Sequence, residues 1–166
     1  MENELERLKK EVTTLKEREA ELEASLEEWK DFAENASLPL HWVNGSGIVI
    51  WVNQSELDLL GFKKSEFLNQ HISKFHADSH VIEDILKRLM NKETLTDYPA
   101  RLRCKNGAIR HVLINSNVYW KNGQFIHTRC FTRDITKFRS LDEEKDKLIS
   151  ELKLKLDEQT SRLAAT

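Results

Sequence analysis

Apolar residues near the start of the chain fall at Leu5, Leu8, Val12, Leu15, Leu22, Leu26, Trp29, Ala33 and Ala36, in steps of three and four with one vacancy at Glu19. Neither glycine nor proline interrupts them, so the pattern predicts one continuous helix with a heptad seam. With Leu5 at position a, Leu8, Leu15, Leu22 and Trp29 take d, while Val12 and Leu26 take a. The charges test this register independently, because in a parallel two-stranded coil each g residue faces the next e residue of the partner. Glu4 meets Lys9, Glu11 meets Lys16 and Arg18 meets Glu23, opposite in sign each time. A parallel homodimer is expected, held mainly by the seam rather than by these exposed ion pairs.

From Pro39 the period changes, since proline disfavours helix in the residue before it and cannot donate to the helical ladder. Leu40 to Val43 and Ile48 to Val52 read as strands around the turn Asn44-Gly45-Ser46-Gly47. Asn53 is expected to cap a short helix running through Leu60, with Glu56 reaching back as a capping box and Gly61 closing it. A polar stretch from 63 to 79 supports only short helical turns. After a cap at Asp78 or Ser79, a helix from His80 to Asn91 gathers Val81, Ile82, Ile85, Leu86 and Leu89 on one face. Three strand-like runs follow, Tyr98 to Cys104, Ile109 to Trp120 and Gln124 to Asp134, and the Asn-Gly pairs at 106–107 and 122–123 mark hairpins between them. A last helix runs from Thr136 to Leu163. Its apolar residues fall into two competing registers, Ile149, Leu156 and Leu163 against Leu141 and Leu148.

Composition narrows the function. With 26 basic and 28 acidic residues the net charge is −2, so nothing argues for nucleic acid or an anionic membrane surface. Trp29, Trp42, Trp51 and Trp120 have no basic patch beside them and are expected to serve core and dimer packing. Two cysteines, no secretory signal and no long apolar run point to a cytoplasmic protein with no membrane contact within this chain. There is no phosphate loop, no nucleophile elbow and no phosphoacceptor histidine box, so no catalytic residues are expected and the chain is read as a non-enzyme.

Strand parity locates the candidate site. Arg101, Arg103 and Lys105 should face solvent, turning Leu102 and Cys104 inward. Arg129 and Arg133 likewise turn Thr128, Cys130 and Thr132 inward. These three, with His41, Ser116 and Ile85, are the candidate pocket residues, although a filled core would place them the same way. A buried cysteine is expected to act as a small hydrophobe. His76 and His80 stand four apart with Asp78 between them, a spacing that suits zinc, but no third or fourth ligand is apparent and no metal site is assigned.

Gly47-Ile48-Val49-Ile50-Trp51-Val52-Asn53 followed by Leu60-Gly61-Phe62, then Asp97-Tyr98 with Arg103-Cys104-Lys105-Asn106-Gly107, then Arg133-Asp134-Ile135-Thr136, resemble in order and spacing the PAS (Per-Arnt-Sim) family over residues 30 to 140. The resemblance implies an α+β fold: a five-stranded antiparallel sheet ordered 2-1-5-4-3 with helices on one face enclosing a pocket. Residues 1–36 and 137–166 would be coiled-coil helices flanking a PAS domain at 37–136. It implies a sensing or dimerising role upstream of an output domain, such as a histidine kinase or cyclase, with Asp134, Ile135 and Thr136 leading into the signalling helix. A small-molecule ligand is one expectation, a ligand-free spacer or interaction module another, and a haem or metal sensor a third. Haem-binding members draw their proximal histidine from the helix that corresponds to the one near His76 and His80. A flavin adduct is excluded, because Gln70 to Asp78, where light-sensing members carry the reactive cysteine, contains none. The strand order would also separate Cys104 from Cys130, leaving both unpaired. No cofactor is expected by default.

Overall fold

A computed structural model of the chain describes residues 2–164, with side-chain environments from 3 to 161. Helix α1 (Glu2–Asn35) is unbroken and spans about 50 Å at 1.5 Å per residue. Its seam residues Leu5, Leu8, Val12, Leu15, Leu22, Leu26 and Trp29 are 47% to 69% exposed, so a single chain leaves the whole stripe uncovered. The helix stops at Asn35, and the backbone bends at Ser37 and Leu38 before entering the sheet.

Strands β1 (Leu40–Val43) and β2 (Val49–Val52) form a hairpin. The first middle helix, α2 (Gln54–Leu60), leads to the single turn α3 (Lys64–Phe67), a 3-10 turn (Ile72–Phe75) and α4 (Ser79–Met90). Strands β3 (Leu95–Arg103), β4 (Ile109–Lys121) and β5 (Gln124–Asp134) complete an antiparallel sheet in the order β2-β1-β5-β4-β3. Helix α5 (Thr136–Ala164) leaves the end of β5 after Ile135 alone. The expected fold class and strand order are what the chain adopts.

One face of the sheet carries the core. Alternation along β4 buries Val112, Ile114, Ser116 and Val118, and α2, α3 and α4 supply Leu57, Leu60, Phe67, Ile82, Ile85 and Leu89 against them. Phe67 stacks on Phe75 at 4.0 Å between ring centroids, with Phe62 edge-on to Phe75 at 5.1 Å. The opposite face is aromatic and partly open. Trp42 of β1 stacks on His127 of β5 at 4.3 Å and 12°, and lies 4.8 Å from Trp51 of β2.

Several element ends differ by a residue or more from expectation, and two of the differences bear on the sheet. Ile48 lies outside β2 and bridges His71 instead. Strand β3 starts at Leu95, ahead of Tyr98, and its register against β4 shifts between Leu95 and Tyr98, where Asp97 has a positive φ of 47°. In the first hairpin, Asn44 Oδ1 accepts from the amides of Ser46 and Ile48, each at 3.0 Å. Gly47 adopts φ +77° at a place where any Cβ would collide with the His71 ring.

Candidate functional site

Adjacent strands align three polar residues across the core face. His41 on β1 is the register partner of Cys130 on β5, and Cys130 is the partner of Ser116 on β4. All three are buried. Together with Thr128, His76 and α4 residues including Ile85, they line a cavity of about 20 Å³, room for one water molecule. Five of the six candidate pocket residues, His41, Ile85, Ser116, Thr128 and Cys130, therefore meet at one place. Thr132 is fully buried but sits beside Glu56, off the cavity. Thr128 turns its hydroxyl oxygen to the β1 backbone, accepting from the Val43 amide at 3.0 Å.

Glu56 departs from its expected role. Asn53 caps α2 as anticipated, its Oδ1 accepting from the Glu56 amide at 3.1 Å, but the Asn53 amide donates to Leu40 O rather than to Glu56. The Glu56 carboxylate turns into the core, 1% exposed, with Oε1 3.3 Å from His41 Nδ1 and accepting from the Thr132 hydroxyl at 3.4 Å. The reason is periodicity: Asn53, Glu56, Leu57 and Leu60 share the buried face of α2.

The electrostatics follow from burial and that pairing. Burial opposes charge on His41, but the Cys130 sulfur and the Glu56 carboxylate outweigh it and raise its pKa well above the ordinary value. At His76 burial, reinforced by the charge of His41, outweighs the upward pull of the Asp78 carboxylate and lowers the pKa to about 4. His76 Nδ1 and Ser116 Oγ are buried and make no hydrogen bond within the protein, and His41 Nδ1 meets Glu56 by proximity rather than in an aligned hydrogen bond.

The two histidines suggested for haem or zinc do not act together. His76 precedes α4 as the C-cap of the 3-10 turn and is buried, whereas His80 lies in the first turn of α4 and is exposed. A macrocycle does not fit a cavity of this size, and among the described residues no group of three metal-ligating side chains converges. Asp78 makes no side-chain cap on α4, because its carboxylate is held by the Arg101 guanidinium. Cys104 and Cys130 are both free.

Both long helices are fastened to the sheet. Asn53 Nδ2 donates toward the carbonyls of Ala33, Ala36 and Leu38 at 3.3, 3.2 and 2.9 Å, while Oδ1 accepts from the Leu40 amide at 2.9 Å. Ser55 adds a bond to Ala36 O at 2.5 Å. At the other end, Thr136 donates to Asp134 Oδ1 at 2.6 Å and accepts from the His111 amide at 2.9 Å, and the Ile135 amide donates to His111 O at 2.8 Å. Arg110 holds the second Asp134 oxygen at 3.2 Å. Asp134, Ile135 and Thr136 thus tie the start of α5 to β4.

A sequence profile of the PAS domain matches residues 37–137. The chain belongs to the PAS domain family. Solved PAS structures superpose on it closely enough to share the fold. The PAS domain of an HTR-like protein from Haloarcula marismortui does so with a TM-score of 0.63 at 22% identity, covering 72% of this chain and 99% of that one. A PAS domain from Colwellia psychrerythraea gives 0.61 at 21% identity, over 68% and 98% of the two chains. A domain of a sensory box sensor histidine kinase/response regulator from Geobacter sulfurreducens gives 0.58 at 19% identity, over 68% and 96%. The comparison with curated proteins found no match. Among the described residues of this PAS protein, no helix is long and apolar enough to cross a membrane.

Proposed function

We propose that this PAS domain relays a signal between α1 and α5 within a parallel homodimer. It would do so as part of a longer signal-transduction protein of the sensor histidine kinase or cyclase kind. In this reading residues 1–36 and 137–166 form coiled coils, 37–136 is the sensing unit, and the chain is a relay rather than an enzyme. The seam residues of α1, with Ile149, Leu156 and Leu163 of α5, supply the dimer contacts. Leu163 belongs to α5, but its side chain lies outside the described residues. The free, buried cysteines favour a cytoplasmic location.

One observation carries the proposal: Asn53 and Thr136 key the two flanking helices into the same sheet through buried or partly buried hydrogen bonds. Movement of the sheet therefore has a route into both. Disulfide trapping tests it. Leu148→Cys and Ile149→Cys chains report which register α5 occupies in the dimer, and Thr136→Val removes the side-chain clamp. The relay predicts that the clamp variant changes the ratio of trapping at the two positions while the sheet stays folded. An unchanged ratio would sink it.

The size of the cavity favours a second reading, a spacer with a filled core. Ligand-dependent melting separates the two. A ligand at 100 times its dissociation constant adds about 2.7 kcal/mol of stability, and a spacer gives no such response to any small molecule the cavity admits.

A further inference from the structure

We propose that Cys130 is a peroxide-reactive thiol, that hydrogen peroxide reaches it in the cavity bounded by His41, His76 and Ser116, and that its oxidation is an input to the relay. The input role rests on the function proposed above; the chemistry at sulfur stands without it.

Cys130, His41 and Glu56 lie in series: the cysteine is the cross-strand partner of the histidine, and the histidine nitrogen lies 3.3 Å from a carboxylate that Thr132 holds in place. A thiol beside an imidazole that is itself oriented by a carboxylate is an arrangement that activates a sulfur nucleophile. The raised pKa of His41 fits a ring that readily holds a proton there.

The cavity then selects the reactant. At about 20 Å³ it admits only a molecule little larger than water. Ser116 Oγ and His76 Nδ1 each lack a partner in the protein while lining that space, and Ser116 and His76 are only 4% and 6% exposed. A small uncharged molecule that both donates and accepts hydrogen bonds satisfies them. An anion would be opposed by Glu56, and a bulky disulfide does not fit. Hydrogen peroxide meets every one of these conditions and is also an oxidant.

The step balances. The Cys130 sulfur attacks one peroxide oxygen, an S–O bond forms and the O–O bond breaks. The sulfur is oxidised by two electrons and the peroxide is reduced. The thiol proton passes through His41 to the departing hydroxide, so Cys–SH and H2O2 give Cys–SOH and water. Glu56 is a positioning residue that steadies the protonated ring. The product replaces the thiol proton by a hydroxyl, which changes the hydrogen bonds offered to His41 and Ser116, and His41 leads through Glu56 to α2 and the Asn53 anchor of α1.

Cys104 is a built-in control. It is as buried as Cys130, 6% exposed, but its sulfur points to the Leu59 carbonyl at 3.8 Å instead of to an imidazole. The reduced, full-length protein is exposed to dilute hydrogen peroxide with a 1,3-dione trap for sulfenic acid, and both cysteine peptides are quantified by mass spectrometry. Trapping at Cys130 is expected to run about tenfold or more faster than at Cys104, consistent with reactivity that follows the local environment of the thiol. His41→Gln should abolish that excess, and glutathione disulfide should leave Cys130 untouched. Equal or slower reaction at Cys130 in the wild-type protein overturns the proposal without recourse to any variant. Fast oxidation of Cys130 with no change in the α5 trapping ratio overturns its role as an input and leaves the sulfur chemistry standing.

Discussion

Asn53 uses both ends of its amide to join three segments that are otherwise only lightly connected. Its oxygen serves the start of β1 and the first turn of α2, and its nitrogen serves the exit of α1. Because the residue is fully buried, Asn53→Ala leaves several backbone groups without partners and should cost about 2 to 4 kcal/mol, read by urea titration. The histidines of the core make a pH prediction. His76 titrates at about 4 when folded against an ordinary 6.5, so the unfolded chain takes the proton first, and the contribution of His76 is complete above 6.5 and lost as pH falls through 4. That loss approaches about 3 kcal/mol. His41 acts in the opposite sense, since its raised pKa gives a contribution that is present below 6.5 and lost only as pH rises through the folded value. A falling melting temperature between pH 6.5 and 4, flattened in His76→Gln, is the expected result. Much of this cluster was legible in the sequence, because the exposed arginines of β3 and β5 fix which neighbours turn inward. Glu56 was not: its position three after an asparagine matches a helix cap, and only its shared face with Leu57 and Leu60 signals burial.

At the level of elements, the long helices and the strands were readable from period and turn chemistry, while the elements around the cavity were harder. The polar stretch from 63 to 79 buries Phe67, Ile72 and Phe75 through one helical turn and one 3-10 turn, too short for any periodicity to show. His76 and His80 stand four apart, but His76 closes the 3-10 turn and only His80 lies in α4, so the spacing does not put them on one helical face. Helix α5 carries its ambiguity into the structure, with Leu141, Leu148, Ile149, Leu152 and Leu156 all exposed. Asp142 stands one heptad before Ile149 and Lys145 three residues further on, the a and d positions of that series, so leucines at both should lock that register. Trapping would then persist at Ile149→Cys and vanish at Leu148→Cys, with the output frozen in the longer protein. Unchanged trapping at both would show that the register is set elsewhere. The tight turn before β2 is the other sensitive element, since Gly47 combines a left-handed backbone with a His71 ring where a side chain would go.

For the molecule as a whole, the uncovered stripe on α1 is the surface on which the proposed dimer would form. A Leu15→Cys substitution at a d position should form a disulfide between two copies, because identical d residues face each other in a parallel coil and lie far apart in an antiparallel one. Failure to cross-link under oxidising conditions would count against the parallel dimer. The outer face of the sheet offers a way to follow such an assembly without labels. Trp42 and Trp51 are close enough, at 4.8 Å, for their indole transitions to couple, and His127 is stacked on the far side of Trp42. That contact spans β2, β1 and β5, the strands that adjoin the α1 anchor and the start of α5. The protein thereby carries its own optical ruler: a slip of β1 against either neighbour would alter the exciton signal of the indole pair in circular dichroism, in real time and at natural abundance.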